Sequence, residues 1–508
     1  MKRRYILISA LFITLFSCTK LDETVYDKIP GSLYPENANQ IANLSVNAYK
    51  QMINMADDGG WWFLAQEISS DELCGPTRGA DWDDGGKWRN MYKHTWSNDD
   101  EGVNRMWSLF WSGITTCNQV LDMMHELPQN PALLAKMKEV EVLRAFYYYL
   151  LIDNYGDVPY LTSAKNAPSL PLRVKRGVVY DSIVNTVKSA LPFLKAGDHK
   201  YMATKYMGFA LLTKLYLNEA VYKGQDLTGT PEQWNNSMKY CDSLLASPYS
   251  LESDVSAPFI TANETSREII FSIPYDENNF QGFRLHMRTL HYQHNLKYDM
   301  TVGPWNGFAV VPTFFDTYEQ TDKRRDAYFI FGLQHASSTN GGGIISDGLT
   351  HKNLDIDPYL PALYMQAANF TPTQIRTTGA RVGKYEIKMG AKENLSNDLP
   401  LFRITDFYLI KAELMVRLGG NGDQWVNPIR TRAGVATWSG ATLEQILAER
   451  GRELYAEGHR RQDLIRFDKF KDARWEKQAD EVYNGLSRNT FPIPKWATDA
   501  NPNLLLIP

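Results

Sequence analysis

The chain has 508 residues, 44% of them hydrophobic, and a formal net charge of -4. So mild an acidity supplies no basic field for nucleic acid, and four cysteines in such a length are too sparse for a disulfide framework. The length suffices for a large core without covalent staples; the notable excess is aromatic, with 13 Trp, 28 Tyr and 22 Phe.

The first residues read as an export signal. Lys2, Arg3 and Arg4 precede an apolar run from Tyr5 to Phe16, too short to span a bilayer, which takes roughly 20 apolar residues. The site Leu15-Phe16-Ser17-Cys18 resembles the lipobox of bacterial lipoproteins, so residues 1–17 are expected to be removed and Cys18 to carry the lipid. Loss of the three basic residues moves the net charge to about -7. Each buried methylene adds about 0.8 kcal/mol, so two or three acyl chains make a lasting anchor. Residues 18–35, polar and punctuated by Pro and Gly, are the tether.

Residues 36–508 are expected to form a single domain. Helical periodicity is predicted over 36–55, 103–127, 137–155, 178–194, 203–222 and 231–245, with Pro231 suited to a first turn. Between 248 and 401 the chain turns rich in Gly, Asn, Asp, Thr and aromatics, with short strands predicted at 268–273 and 383–387. Helices resume near Arg403 and after Thr442, where Thr442 and Gln445 have capping-box spacing. The expected fold class is therefore mainly α. Paired helices at 36–247 and 402–470 make a solenoid-like scaffold that carries loop-rich regions at about 57–100 and 248–401.

The binding candidates lie in those loops. Asp57-Asp58-Gly59-Gly60 precedes Trp61-Trp62, and Asp83-Asp84-Gly85-Gly86 precedes Lys87-Trp88. Glycine-rich stretches of this kind break helices, which places Trp82 in a loop flanked by acids. An indole covers the apolar C–H face of a sugar ring while neighbouring polar groups bond its hydroxyls. Trp82 is read as such a platform or as a loop-packing residue, with Asp81, Asp83 and Arg78 as hydrogen-bonding neighbours. Trp305, Asn306 and Tyr292 form a second group of the same type. Trp61, Trp62 and Trp88 sit beside apolar residues and read as core, and Trp107 and Trp111, four apart on a helix, as packing. No catalytic residues are assigned. Glu449, Glu453 and Glu457 recur every fourth residue and are read as buried ion pairs. Glu457 can reach Arg460 or Arg461, and the row as a whole needs arginines from elsewhere. His286, His291 and His294 lack the companions of a zinc site. The Asp81 to Gly85 stretch resembles a calcium loop without its closing Glu, which leaves structural calcium open and no other metal or cofactor expected.

Several stretches together resemble the SusD/RagB family: Arg144-Ala145-Phe146-Tyr147-Tyr148, Asn154-Tyr155-Gly156-Asp157-Val158-Pro159, Arg403-Ile404-Thr405-Asp406, Ile429-Arg430-Thr431-Arg432-Ala433-Gly434, and Glu449-Arg450-Gly451-Arg452-Glu453-Leu454 with Glu457-Gly458-His459-Arg460-Arg461. The resemblance implies tetratricopeptide-like helix pairs under a loop-rich face that binds oligosaccharide or polysaccharide. It also implies an outer-membrane, surface-exposed location and a SusC-like TonB-dependent transporter as partner. The expected function is capture of glycan and its delivery to that transporter. The alternatives are a helical protein-interaction scaffold or a glycoside hydrolase, which would need two carboxylates about 5–10 Å apart.

Overall fold

The structure is a computed structural model that describes residue 43 and residues 45–506, except 58, 198 and 481–487. The export signal, Cys18 and the tether lie outside the described residues. Residues Ser45–Pro508 form one compact unit.

Ten helices frame it: α1 (Trp62–Ile68), α2 (Glu101–His125), α3 (Pro131–Tyr155), α4 (Arg176–Ala190), α5 (Lys205–Leu217), α6 (Pro231–Leu245), α7 (Ile404–Arg417), α8 (Asp423–Ala433), α9 (Leu443–Leu454) and α10 (Arg460–Arg466). Their boundaries have local causes. Asn130 accepts from Leu133 N at 2.9 Å and Pro131 opens α3; Thr230 and Pro231 do the same for α6. Gly156, at φ 72°, ends α3 where a side chain would be strained. Thr442 and Gln445 form the capping box expected of them, at the start of α9.

Successive helices pack as neighbours from α2 through α7; α7 then packs on α8 and α9, α9 on α10, and α10 on α1. The scaffold is thus continuous in space although residues 246–403 interrupt it in sequence, because α6 lies directly on α7. At Gly113 in α2 a β-carbon would overlap the Tyr147 ring of α3, so glycine here allows close helix approach at about 1 kcal/mol of helix propensity. The interruption is closed by its own ends: β1 (Ile269–Ile273) pairs antiparallel with β2 (Leu399–Arg403), both fully buried. The architecture is mainly α, with few and short strands.

Some predicted elements differ. Among the described residues the helix expected over 36–55 is α-helical only at Val46–Lys50 and tightens to a 3-10 helix over Gln51–Ala56, and the helix expected over 137–155 starts earlier, at Pro131. The helix expected over 203–222 breaks at Asn218, whose side chain donates to the Lys214 carbonyl at 2.9 Å, and resumes as Glu219–Lys223. The strand expected at 383–387 is instead Arg381–Val382, paired with Phe329–Ile330. Lys384 leaves that ladder to bond Glu457 and the carbonyls of Glu453 and Tyr455.

The row of glutamates locks the second half of the scaffold. Glu449 pairs with Arg324, Arg430 and Arg452, each at 2.7 Å. Glu453 pairs with Arg432 at 2.5 Å, Arg403 at 3.0 Å and Arg324 at 3.1 Å. Burial pushes both carboxyls up, yet the guanidiniums outweigh it and hold each at about 2. Glu457 corrects its expected partners. The helix ends at Leu454, Ala456 and Gly458 adopt left-handed backbone, and Glu457 turns to Arg403 at 2.7 Å and Lys384 at 2.6 Å. Arg460 and Arg461 reach Asp71 and Asp153 instead.

Candidate functional site

Three segments distant in sequence converge beside this scaffold. Leu73–Cys74 pairs antiparallel with Ala309–Val310, and Thr77–Arg78 pairs parallel with Tyr364–Met365. These two-residue ladders fix the loops that flank them: residues 79–86, 303–308 and 366–378. Residues 305–308 also run along 287–290, with Trp305 N donating to Met287 O at 2.7 Å and both Gly307 N and Phe308 N to Arg288 O at 2.8 Å.

Trp82 and Trp305 meet in this assembly. The Trp82 indole N–H donates to the Trp305 carbonyl at 2.8 Å, across 223 residues of sequence. The Trp82 ring rests on Gly307, where a β-carbon would overlap it, and lies 5.2 Å from Phe308 and 5.7 Å from Trp88 between ring centroids. It is half-buried. Its backbone is left-handed, at φ 62°, as is that of Asn306, at φ 55°. Two non-glycine residues in this sparsely populated region, on facing loops, store strain of the kind that clusters at functional sites. Trp305 is also half-buried. The guanidiniums of Arg284 and Arg288 lie 5.5 and 5.4 Å from its ring centroid, and both arginines bond the buried Asp57.

Polar groups rim the two rings. Asp81 is exposed and accepts from the Tyr292 hydroxyl; burial, then the neighbouring carboxylate, pushes that phenol up to about 12. The guanidinium of Arg376 lies 4.6 Å from the Tyr292 ring centroid. Asp83 accepts from Arg89 at 2.7 Å, and the Arg89 guanidinium lies 4.5 Å from the ring of the exposed Tyr364. On the far side of Arg284 an open cleft of about 570 Å³ is lined by Asn54, Asp57, Glu277, Arg284, Glu393 and Asn394 among others.

Two of the sequence-predicted ligand residues are corrected. Arg78 is buried and its guanidinium donates to the carbonyls of Gly307 at 3.0 Å, Ile375 at 2.9 Å and Thr378 at 3.1 Å. It bolts the three loops together from behind, and burial lowers its pKa to about 10. Asn306 is 0% exposed and donates to the Arg376 carbonyl at 3.1 Å, so it holds the loop and cannot touch a ligand. Trp82, Asp81, Asp83, Trp305 and Tyr292 keep at least partial exposure. Trp61, Trp62, Trp88 and Trp107 are buried; Trp61 stacks on Trp88 at 4.7 Å.

Arg89, Arg376 and Tyr364 escaped the sequence reading. Nothing in the composition around Tyr364 marks it; only the parallel pairing with Thr77–Arg78 brings it to the face. Asp57 was visible in the first Asp-Asp-Gly-Gly stretch, but its role is to seat the arginines under Trp305. The carboxylates of the second stretch diverge: Asp81 serves Tyr292, Asp83 serves Arg89, and Asp84 accepts from the Trp88 indole at 2.7 Å. A calcium loop would turn them inward together. His286, His291 and His294 are buried, and burial lowers the first two to about 4. Among the described residues no group of three or more His, Cys, Asp or Glu side chains is placed to hold a metal.

A continuous helix-pair scaffold thus carries loop-borne, half-buried tryptophans rimmed by acids and arginines. The SusD family profile matches residues 267–508, and the profile described as "Starch-binding associating with outer membrane" matches residues 34–217. The chain belongs to the SusD/RagB family. Starch-binding protein SusD of Bacteroides thetaiotaomicron is 24% identical over 459 residues, covering 81% of this chain and 79% of that protein. Among solved structures, a SusD superfamily protein from Parabacteroides distasonis superposes with a TM-score of 0.74 at 20% identity, covering 94% of this chain and 98% of the other. Surface glycan-binding protein A from Bacteroides thetaiotaomicron, in complex with laminarihexaose, superposes with a TM-score of 0.71 at 20% identity, covering 92% and 98%.

Proposed function

We propose that this chain is a non-catalytic glycan-binding lipoprotein of the bacterial outer membrane, anchored through Cys18 at the cell surface, that captures oligosaccharide and delivers it to a SusC-like TonB-dependent transporter. The observation that carries the binding role is the meeting of Trp82 and Trp305, both half-buried and joined through an indole–carbonyl hydrogen bond, with Asp81, Asp83 and Tyr292 beside them. Apolar ring faces for sugar C–H groups, with hydroxyl-directed acceptors and donors at their edges, suit carbohydrate. The printed names of the relatives, starch-binding for one and a laminarihexaose complex for another, support the same class. The outer-membrane location is supported by the family description and the lipobox-like site at Cys18; the transporter partner rests on the family resemblance.

A glycan array followed by calorimetry on the full-length chain in detergent tests the binding role, with Trp82→Ala and Trp305→Ala alongside. Binding by the parent and its loss in both variants is expected; a parent that binds no glycan refutes the proposal. Labelling with a fatty-acid probe that is lost in Cys18→Ala tests the anchor, and co-purification of a β-barrel transporter from membranes tests the delivery step.

A further inference from the structure

The charges around the rings bear on which glycans can sit there. Apart from Arg78 and Arg381, which are buried behind the face and bond backbone carbonyls, every cation named beside it is held by a carboxylate. Arg89 bonds Asp83 at 2.7 Å, Arg376 bonds Asp347 at 2.7 Å, and Lys87 bonds Glu101 at 3.0 Å. Arg284 and Arg288 converge on Asp57, and Arg284 also reaches Glu393 at 3.1 Å. The acids are not balanced in the same way. Asp81 and Asp84 are exposed, accept from a phenol and an indole, and among the described residues have no cation within ion-pair distance.

Paired guanidiniums keep N–H donors for hydroxyl oxygens, but their positive field is largely cancelled. Unpaired carboxylates accept hydroxyl protons and repel anions. A sulfate or uronate on a sugar stacked here would lose hydration, gain no free counter-charge, and approach Asp81 and Asp84. We infer that the face selects uncharged oligosaccharides and discriminates against uronate- or sulfate-bearing ones. The inference rests on the glycan-binding reading above and names its substrate class.

The test compares neutral probes (gluco-, manno- and xylo-oligosaccharides) with anionic ones of the same length (oligogalacturonates and chondroitin sulfate oligosaccharides). Calorimetry uses the full-length chain in detergent at low and high salt. The expected result is neutral binding that is insensitive to salt, with every anionic probe at least about tenfold weaker, a gap of about 1.4 kcal/mol. That gap should shrink at high salt and in Asp81→Asn/Asp84→Asn, because screening or removal of the repelling charges relieves the approach. Anionic probes that bind as tightly as neutral ones, with an affinity that falls on adding salt and is lost in Trp82→Ala, overturn the selectivity while leaving the glycan-binding reading intact. No binding by either class overturns both. The salt comparison on the unmodified chain keeps the test decisive if the double variant misfolds.

Discussion

Gly307→Ala is a one-carbon change with a worked consequence. The new β-carbon would overlap the Trp82 indole, against which Gly307 packs directly. Restoring a carbon–carbon separation of about 3.5 Å means moving the ring or its loop by roughly 1.5 Å. Such a shift breaks the 2.8 Å bond from the Trp82 indole to the Trp305 carbonyl, worth about 1 kcal/mol. It also disturbs ring contacts with Phe308 and Trp88, worth roughly 0.5–1.5 kcal/mol each. The total, about 2–4 kcal/mol, falls on the geometry of the binding face and leaves the helix scaffold alone. Glycan affinity should fall by at least about tenfold, and the tryptophan emission spectrum should shift, while far-ultraviolet circular dichroism stays unchanged. Parent-like affinity together with a parent-like emission spectrum would refute the claim that Gly307 seats Trp82.

The buried ion network gives further expectations. Glu453→Gln leaves Arg403, Arg432 and Arg324 short of a counter-charge and should cost about 3–5 kcal/mol in denaturant unfolding, without changing which glycan binds. The folded-state pKa values of Glu449 and Glu453 are depressed to about 2, so their stabilisation is complete above the ordinary carboxyl range and is lost as pH falls from about 4.5 toward 2. Thermal scans across that window should show a steep loss of stability in the parent and a shallower one in Glu453→Gln; equal slopes contradict the assignment. Trp107→Ala empties a site packed 5.0 Å from Tyr155 and should cost about 3–5 kcal/mol of stability while the folded fraction binds glycan with parent affinity, checked by calorimetry below the melting transition.

The scaffold was largely legible because its signals are local. Periodicity and caps at Pro231 and Thr442 mark helix boundaries that depend on a few adjacent residues, whereas Pro131 reads in the sequence as a break and opens the helix in the structure. The break at Asn218 was not, because a single side chain competing for the Lys214 carbonyl leaves the apolar period intact. The site divides along the same line. Trp82 was found from the glycines and acids around it, and Trp305 from its Gly-Pro-Trp-Asn-Gly setting. Arg78 and Asn306 were placed on the ligand side because nearness in sequence to an exposed ring says nothing of direction. Arg78 points inward to carbonyls more than 200 residues away. Tyr364 and Arg376 arrive through long-range strand pairing and loop packing, and no local pattern announces them.

The central claim is that Trp82 and Trp305 together form a carbohydrate-binding face. Calorimetric titration of the full-length chain and of Trp82→Ala/Trp305→Ala, with the best glycan from an array, tests it most directly. The account predicts a saturable isotherm for the parent and none for the double variant, with both showing the same circular dichroism spectrum. A double variant that folds and binds the glycan as tightly as the parent would contradict it.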